Sequence, residues 1–166
     1  LKFAGTTLNT DQSSSVFFIK EDGGGVQLDI GYRFNPVFML ELVIGGSNHN
    51  TSDPAIDART AAVQIFGHYR FAPERSFRPY LKGGFGGYAL LLESGSADLQ
   101  ISGGGVAFGG GFRYFFSPKF SLGVDLTANL IRYDEAKLSL SELTYQSELE
   151  ADGSYSTLGV SFGYSF

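Results

Sequence analysis

The chain has no cysteine, no tryptophan, one methionine and five prolines. Without cysteine there are no disulfides and no thiolate metal sites. Charge is also scarce: Asp, Glu, Lys and Arg make up 17% of residues, against about 25% in an ordinary soluble domain. The net charge of −5 excludes the basic footprint that nucleic-acid binding requires. No stretch approaches the ~18–20 apolar residues of a membrane-crossing helix. A barrel would hide that signal, because its lipid-facing residues alternate with lumen-facing ones. The length predicts one domain over 1–166. Leu1 is not preceded by a charged segment and apolar core, so a secretion signal is expected to have been removed or to lie upstream.

Glycine (23 residues) and aromatics (15%) are plentiful, and the aromatics recur in a fixed setting. The chain reads Gly31-Tyr32-Arg33-Phe34-Asn35-Pro36, then Gly67-His68-Tyr69-Arg70-Phe71-Ala72-Pro73, then Gly111-Phe112-Arg113-Tyr114-Phe115-Phe116-Ser117-Pro118, and finally Gly163-Tyr164-Ser165-Phe166. Aromatics on alternate residues share one face of a strand. Proline then ends the ladder, because it has no N–H to donate. A recurrence of roughly 35–50 residues is the length of a hairpin rather than of a helical repeat. Aromatics at one height on every second strand form the girdle that a membrane–water interface selects. Tyr32, Phe34, Tyr69, Phe71, Tyr114, Phe116, Tyr164 and Phe166 are the residues predicted for it.

Eight strands are predicted, at 1–9, 23–34, 37–47, 59–71, 78–92, 104–116, 119–133 and 153–166. Short turns at 35–36, 72–77 and 117–118 alternate with long polar loops at 10–22, 48–58, 93–103 and 134–152. This asymmetry matches short periplasmic turns and longer outer loops, and it places both termini on the periplasmic side. The alternation is clearest where Phe120, Leu122, Val124, Leu126, Ala128 and Leu130 interleave with Ser121, Gly123, Asp125, Thr127 and Asn129. About 12 residues rising ~3.3 Å each, with a tilt of ~40°, cover an apolar band of ~25 Å. A soluble lipocalin-like barrel is the rival, but it would bury its bulky face. Here the polar face is rich in glycine and serine, which suits a cramped interior, while the bulky face suits lipid. The expected fold is an all-β, eight-stranded, antiparallel up-and-down transmembrane barrel.

Together these residues resemble the small eight-stranded outer-membrane barrels of Gram-negative bacteria, the OmpW-like and OmpA-like superfamily. Phe77-Arg78-Pro79-Tyr80-Leu81-Lys82-Gly83-Gly84-Phe85-Gly86 is similar to the start of the fifth strand in OmpW-like proteins. Tyr164-Ser165-Phe166 resembles the terminal aromatic signal of the class. The lack of tryptophan departs from the usual Trp/Tyr belt. The resemblance implies an integral outer-membrane location and a passive route for small hydrophobic compounds. It also implies contact with outer-membrane lipid and lipopolysaccharide, and recognition of Phe166 by the outer-membrane assembly machinery.

Inside the predicted barrel, Arg33, Arg70 and Arg113 occupy one position in successive repeats, and Lys82, Asp29, Glu41 and Asp125 point inward near them. A buried charge must be paired, so Asp29, Glu41 and Asp125 are expected to meet the arginines. The cluster is either a structural ion-pair network or a charged constriction. The glycines at 83–87 and 103–111 mark tight curvature, or a wall through which an apolar molecule could leave sideways. No catalysis, metal or cofactor is expected. His68 faces inward with Arg70, and His49 lies in an outer loop near Ser52 and Asp53. Val16-Phe17-Phe18-Ile19 and the acidic loop 134–152 could touch an envelope partner. The competing function is therefore a plugged, anchoring barrel without transport. Closed charge pairs and packed Phe66, Tyr88 and Phe115 would favour it.

Overall fold

The computed structural model describes residues 2–9, 19–51, 57–94, 97–140 and 143–165. Eight strands follow in chain order: β1 (Lys2–Asn9), β2 (Ile19–Arg33), β3 (Phe38–Thr51), β4 (Asp57–Arg70), β5 (Phe77–Ser94), β6 (Ala97–Phe115), β7 (Phe120–Leu140) and β8 (Leu143–Tyr164). Each pairs antiparallel with its neighbours, and β1 closes on β8 to complete the barrel. Closure pairs both edges of the sheet, which a membrane demands because hydrocarbon offers no hydrogen bonds to free backbone groups.

The period-two pattern sets which face is which. Val26, Leu28, Ile30, Ile44, Val63, Phe85, Val106, Leu126, Leu130, Leu158 and Val160 all point outward and are exposed. Glu41, Gln64, His68, Lys82, Asp125, Thr127 and Asn129 are buried inside. This is an inverted protein, apolar outside and polar within, as a barrel in lipid requires. At the end that carries the short turns, Tyr32, Phe34, Tyr69, Phe71, Tyr114, Phe116 and Tyr164 form an exposed aromatic ring around the rim. Phe116, Phe120, Phe162 and Tyr164 pack against one another there. The remaining residue of the expected girdle, Phe166, lies outside the described residues.

Two of the short turns share one device. The Asn35 side-chain oxygen accepts from the backbone N–H groups of Val37 and Phe38 at 2.8 Å each. The Ser117 hydroxyl accepts in the same way from Lys119 (3.2 Å) and Phe120 (3.1 Å). Pro36 and Pro118 follow these residues and fix the backbone for a tight reversal. The third turn, after β4, uses Ala72 in a left-handed conformation (φ 48°).

The opposite end differs from expectation. The segments 93–103 and 134–152, expected to be long loops, are mostly ladder. Ser94 pairs with Ala97 at the tip of the β5–β6 hairpin, and Leu140 pairs with Leu143 at the tip of β7–β8. β7 and β8 therefore reach 21 and 22 residues, well beyond the ~12 a membrane needs. Their polarity reflects water on both faces rather than a loss of strand. Outward ion pairs line these extensions: Arg59–Glu93 (3.7 Å), Lys137–Glu135 (3.3 Å) and Arg132–Glu150 (3.3 Å). The apolar run Val16-Phe17-Phe18 lies outside the described residues, and Ile19 opens β2.

Candidate functional site

Strands that are not neighbours in the sheet meet through the lumen. Three such bridges stack along the barrel axis. Nearest the short turns, Glu41 on β3 accepts from Arg113 on β6 at 3.0 Å, and from His68 on β4 at 2.8 Å. Beside it, Lys82 on β5 lies 3.5 Å from Asp125 on β7, and the Tyr80 hydroxyl donates to the same carboxylate at 3.2 Å. Farther from the turns, the Gln64 amide on β4 donates to Asn129 on β7 (2.7 Å) and to the Tyr88 hydroxyl on β5 (2.8 Å). Tyr88 in turn donates to Asn129 at 3.2 Å.

Apolar packing fills the space between these layers. Val43, Phe66 and Ala107 form a small buried cluster, and the Lys82 ammonium sits 4.6 Å from the Phe66 ring centroid. That cation–π contact offsets part of the cost of burying the charge. Tyr88 packs edge-on against Tyr155. An internal void beside Tyr155 and Thr157 measures about 20 Å³, room for a single water. Glycine makes the walls thin enough for this filling. A Cβ on Gly84 would fall onto the carbonyl oxygen of Ile65, and one on Gly109 onto that of Leu126.

The expected pairing of three acids with three repeat arginines is only partly realised. Glu41 does meet Arg113. Asp125 is paired with Lys82 instead, because the barrel's stagger brings β5, not a repeat arginine, opposite it. Arg33 is exposed at the rim. Arg70 is buried, yet it forms no ion pair among the described residues. Among the described residues its side chain makes one hydrogen bond, a long 3.4 Å contact from Nη2 to the backbone oxygen of Asn35. Asp29 lines the wall beside this group. Phe115, expected to pack inside the plug, instead lies under the Arg78 guanidinium, 4.0 Å from its ring centroid.

Below the Glu41 layer the interior opens at the short-turn end into a vestibule of about 670 Å³. Arg33, Arg70, Arg78 and Arg113 line it, against the carboxylates of Asp29 and Glu41. The sequence reading missed Gln64, Tyr80, Asn129 and the role of Arg78. The first three are uncharged and far apart in the chain. Arg78 was on the page only as part of a family motif.

The far end holds the other histidine. His49 is not in a loop: it belongs to β3, is buried, and bonds through Nε2 to the Ser47 hydroxyl at 2.9 Å. The expected partners Ser52 and Asp53 lie outside the described residues. The strand explains the change, since Ser47 and His49 share one face at i and i+2. A Ser–His pair is half of a nucleophilic site. Among the described residues no hydrogen bond reaches the other ring nitrogen of His49, so nothing described orients the imidazole as a base. No group of three His, Asp or Glu among the described residues could hold a metal ion.

Known proteins share this architecture. The family described as "Outer membrane protein beta-barrel domain" matches residues 1–166. Neisserial surface protein A is 17% identical, with a TM-score of 0.65 over 96% of this chain and 91% of its own. OprG from Pseudomonas aeruginosa is 17% identical, with a TM-score of 0.61 over 99% of this chain and 95% of its own. The outer membrane enzyme PagL is 15% identical, with a TM-score of 0.52 over 96% of this chain and 97% of its own. No curated protein sequence matches significantly. At these identities the structural likenesses speak to fold alone, and the fold carries enzymes as well as other barrels. The lipid-facing stripe and the full-length family match agree: the chain is an integral outer-membrane protein and belongs to the outer membrane protein β-barrel family.

Proposed function

We propose that this protein is a closed barrel that anchors in the outer membrane and acts through the hairpins standing above it, without conducting solutes along its axis. The single observation that carries this reading is the set of bridges across the lumen, β3 to β6, β5 to β7 and β4 to β7. Apart from the half-buried Arg113, each is made by buried side chains, and breaking any of them strands a polar group. A barrel built for passage would leave such groups to water.

The reading places the short turns and both termini in the periplasm and the β5–β6 and β7–β8 hairpins outside the cell. Those hairpins carry an exposed tyrosine, Tyr145, among charged side chains. Aromatic and charged side chains together suit a protein partner or lipopolysaccharide headgroups. Proteinase added to intact cells is expected to cut between Ser94 and Ala97 and between Leu140 and Leu143, and to spare 72–77. Cleavage at 72–77 without permeabilisation would reverse the orientation and remove the hairpins as the outward surface.

One observation favours a second reading, a route for small hydrophobic compounds. On the far side of the Gln64–Tyr88–Asn129 layer the inner wall formed by β5, β6 and β7 turns apolar, with Leu90, Ile101 and Ile131 buried, opposite the polar Ser47 and His49. Inward glycines on β6, Gly103 and Gly105, adjoin it. An apolar solute could enter there from outside and leave sideways into lipid without crossing the plug.

A further inference from the structure

The structure assigns an oxyanion site to the vestibule at the short-turn end, suited to a soluble phosphate or pyrophosphate group. Three observations converge. First, the charge in the wall is unbalanced: among the described residues, four guanidinium groups face two carboxylates. One of those carboxylates, Glu41, is already engaged by His68 and Arg113. Glu74, in the adjoining recess beside Arg33 and Arg78, reduces the excess without removing it.

Second, Arg70 is incomplete. It is 6% exposed and lines the vestibule, and its Nε has no hydrogen-bond partner among the described residues. A buried cation without a counter-charge is among the costliest groups a protein can hold. Arg33 and Arg78, in the same wall, add positive charge, and neither forms an ion pair among the described residues. An anion between them would complete all three at once.

Third, Arg78 is held in place rather than free to sweep through solvent. Its Nε donates to the Arg75 carbonyl at 2.7 Å, and its plane lies 4.0 Å from the Phe115 ring centroid. That leaves its terminal nitrogens to present a fork, the geometry that recognises phosphate in bidentate fashion. Ser161 of β8 and Ser165 just after it also line the vestibule. Planar guanidinium forks with serine hydroxyls beside them select a compact oxyanion over chloride.

The test uses the full barrel in a non-ionic detergent, with thermal unfolding read against inorganic phosphate and pyrophosphate. Chloride at matched ionic strength separates binding from screening. Pyrophosphate is expected to raise the unfolding midpoint in a saturable way. Arg78→Gln, at the more accessible arginine, is expected to weaken binding on the order of tenfold, the loss of one charge-assisted hydrogen bond. Arg70→Gln is expected to abolish the shift, while Arg132→Gln, on the outer surface, leaves it unchanged. Equal midpoints in pyrophosphate and chloride would overturn the proposal, as would an undiminished shift in Arg78→Gln. A lipid source is separated by nanodiscs with and without phosphatidic acid. A shift confined to phosphatidic acid would overturn the soluble-ligand assignment.

Discussion

Glu41→Ala is expected to destabilise the barrel by about 3–5 kcal/mol, the cost of breaking a buried pair by removing one partner. Glu41 is 3% exposed and is the acceptor for both Arg113 and His68. Its loss leaves the Arg113 guanidinium facing Arg70 and Arg33 with one fewer carboxylate between them. The replacement also opens the layer of the plug next to the vestibule, while Gln64, Tyr88 and Asn129 still close the lumen farther on. Urea unfolding from lipid vesicles reads the destabilisation. A Glu41→Ala barrel within about 1 kcal/mol of the parent, a single ordinary hydrogen bond, would show that the layer does not act as one electrostatic unit.

The second large effect lies on the other face. Leu126→Arg is expected to cost about 2–4 kcal/mol, the penalty for a cation near the bilayer midplane on a barrel's lipid side. Leu126 is 57% exposed and sits midway along the outward stripe from Leu122 to Leu130. Thr127, one residue on, is buried in the lumen, with its hydroxyl 3.5 Å from Asp125. Thr127→Ser keeps that hydroxyl and is expected to be nearly silent. If Leu126→Arg folded into vesicles as readily as the parent, the outward stripe would not be facing hydrocarbon.

The contrast between these neighbouring positions shows why the fold was legible in the sequence. A strand with lipid on one side and a polar lumen on the other must alternate, and one slip in register would turn every side chain over. Phe120 to Leu130 therefore declared its faces without any structure. The turns were equally plain, because Asn35-Pro36 and Ser117-Pro118 each pair a capping side chain with a residue that cannot continue a ladder. The strand ends at the far rim were not legible. Above the membrane both faces are wet, so 93–103 and 134–152 read as loop although their ladders continue.

The interior was legible in composition but not in pairing. Alternation put Glu41, Asp125, Arg70, Arg113 and Lys82 inside. Which of them meet depends on the stagger of strands around the barrel, and no local pattern encodes that. Hence Arg113 found Glu41 as expected, Asp125 found Lys82 instead, and Arg70 was left in the vestibule. Alternation put Asn129 on the inner face and Tyr88 was expected inside, but nothing signalled that they meet Gln64, since a neutral hydrogen-bonded layer looks like any other polar face. His49 was misplaced for the same reason as the strand ends: Asn48 and Asn50 around it suggested a loop, and the ladder ran on.

The central claim is that the bridges across the lumen close it. Single-channel recording of the unmodified barrel in a planar bilayer tests this most directly. The account predicts a silent membrane. Stable, resolvable conductance steps from the unmodified protein would contradict it, because ions would then be passing where Glu41 holds Arg113, Lys82 holds Asp125 and Gln64 holds Asn129.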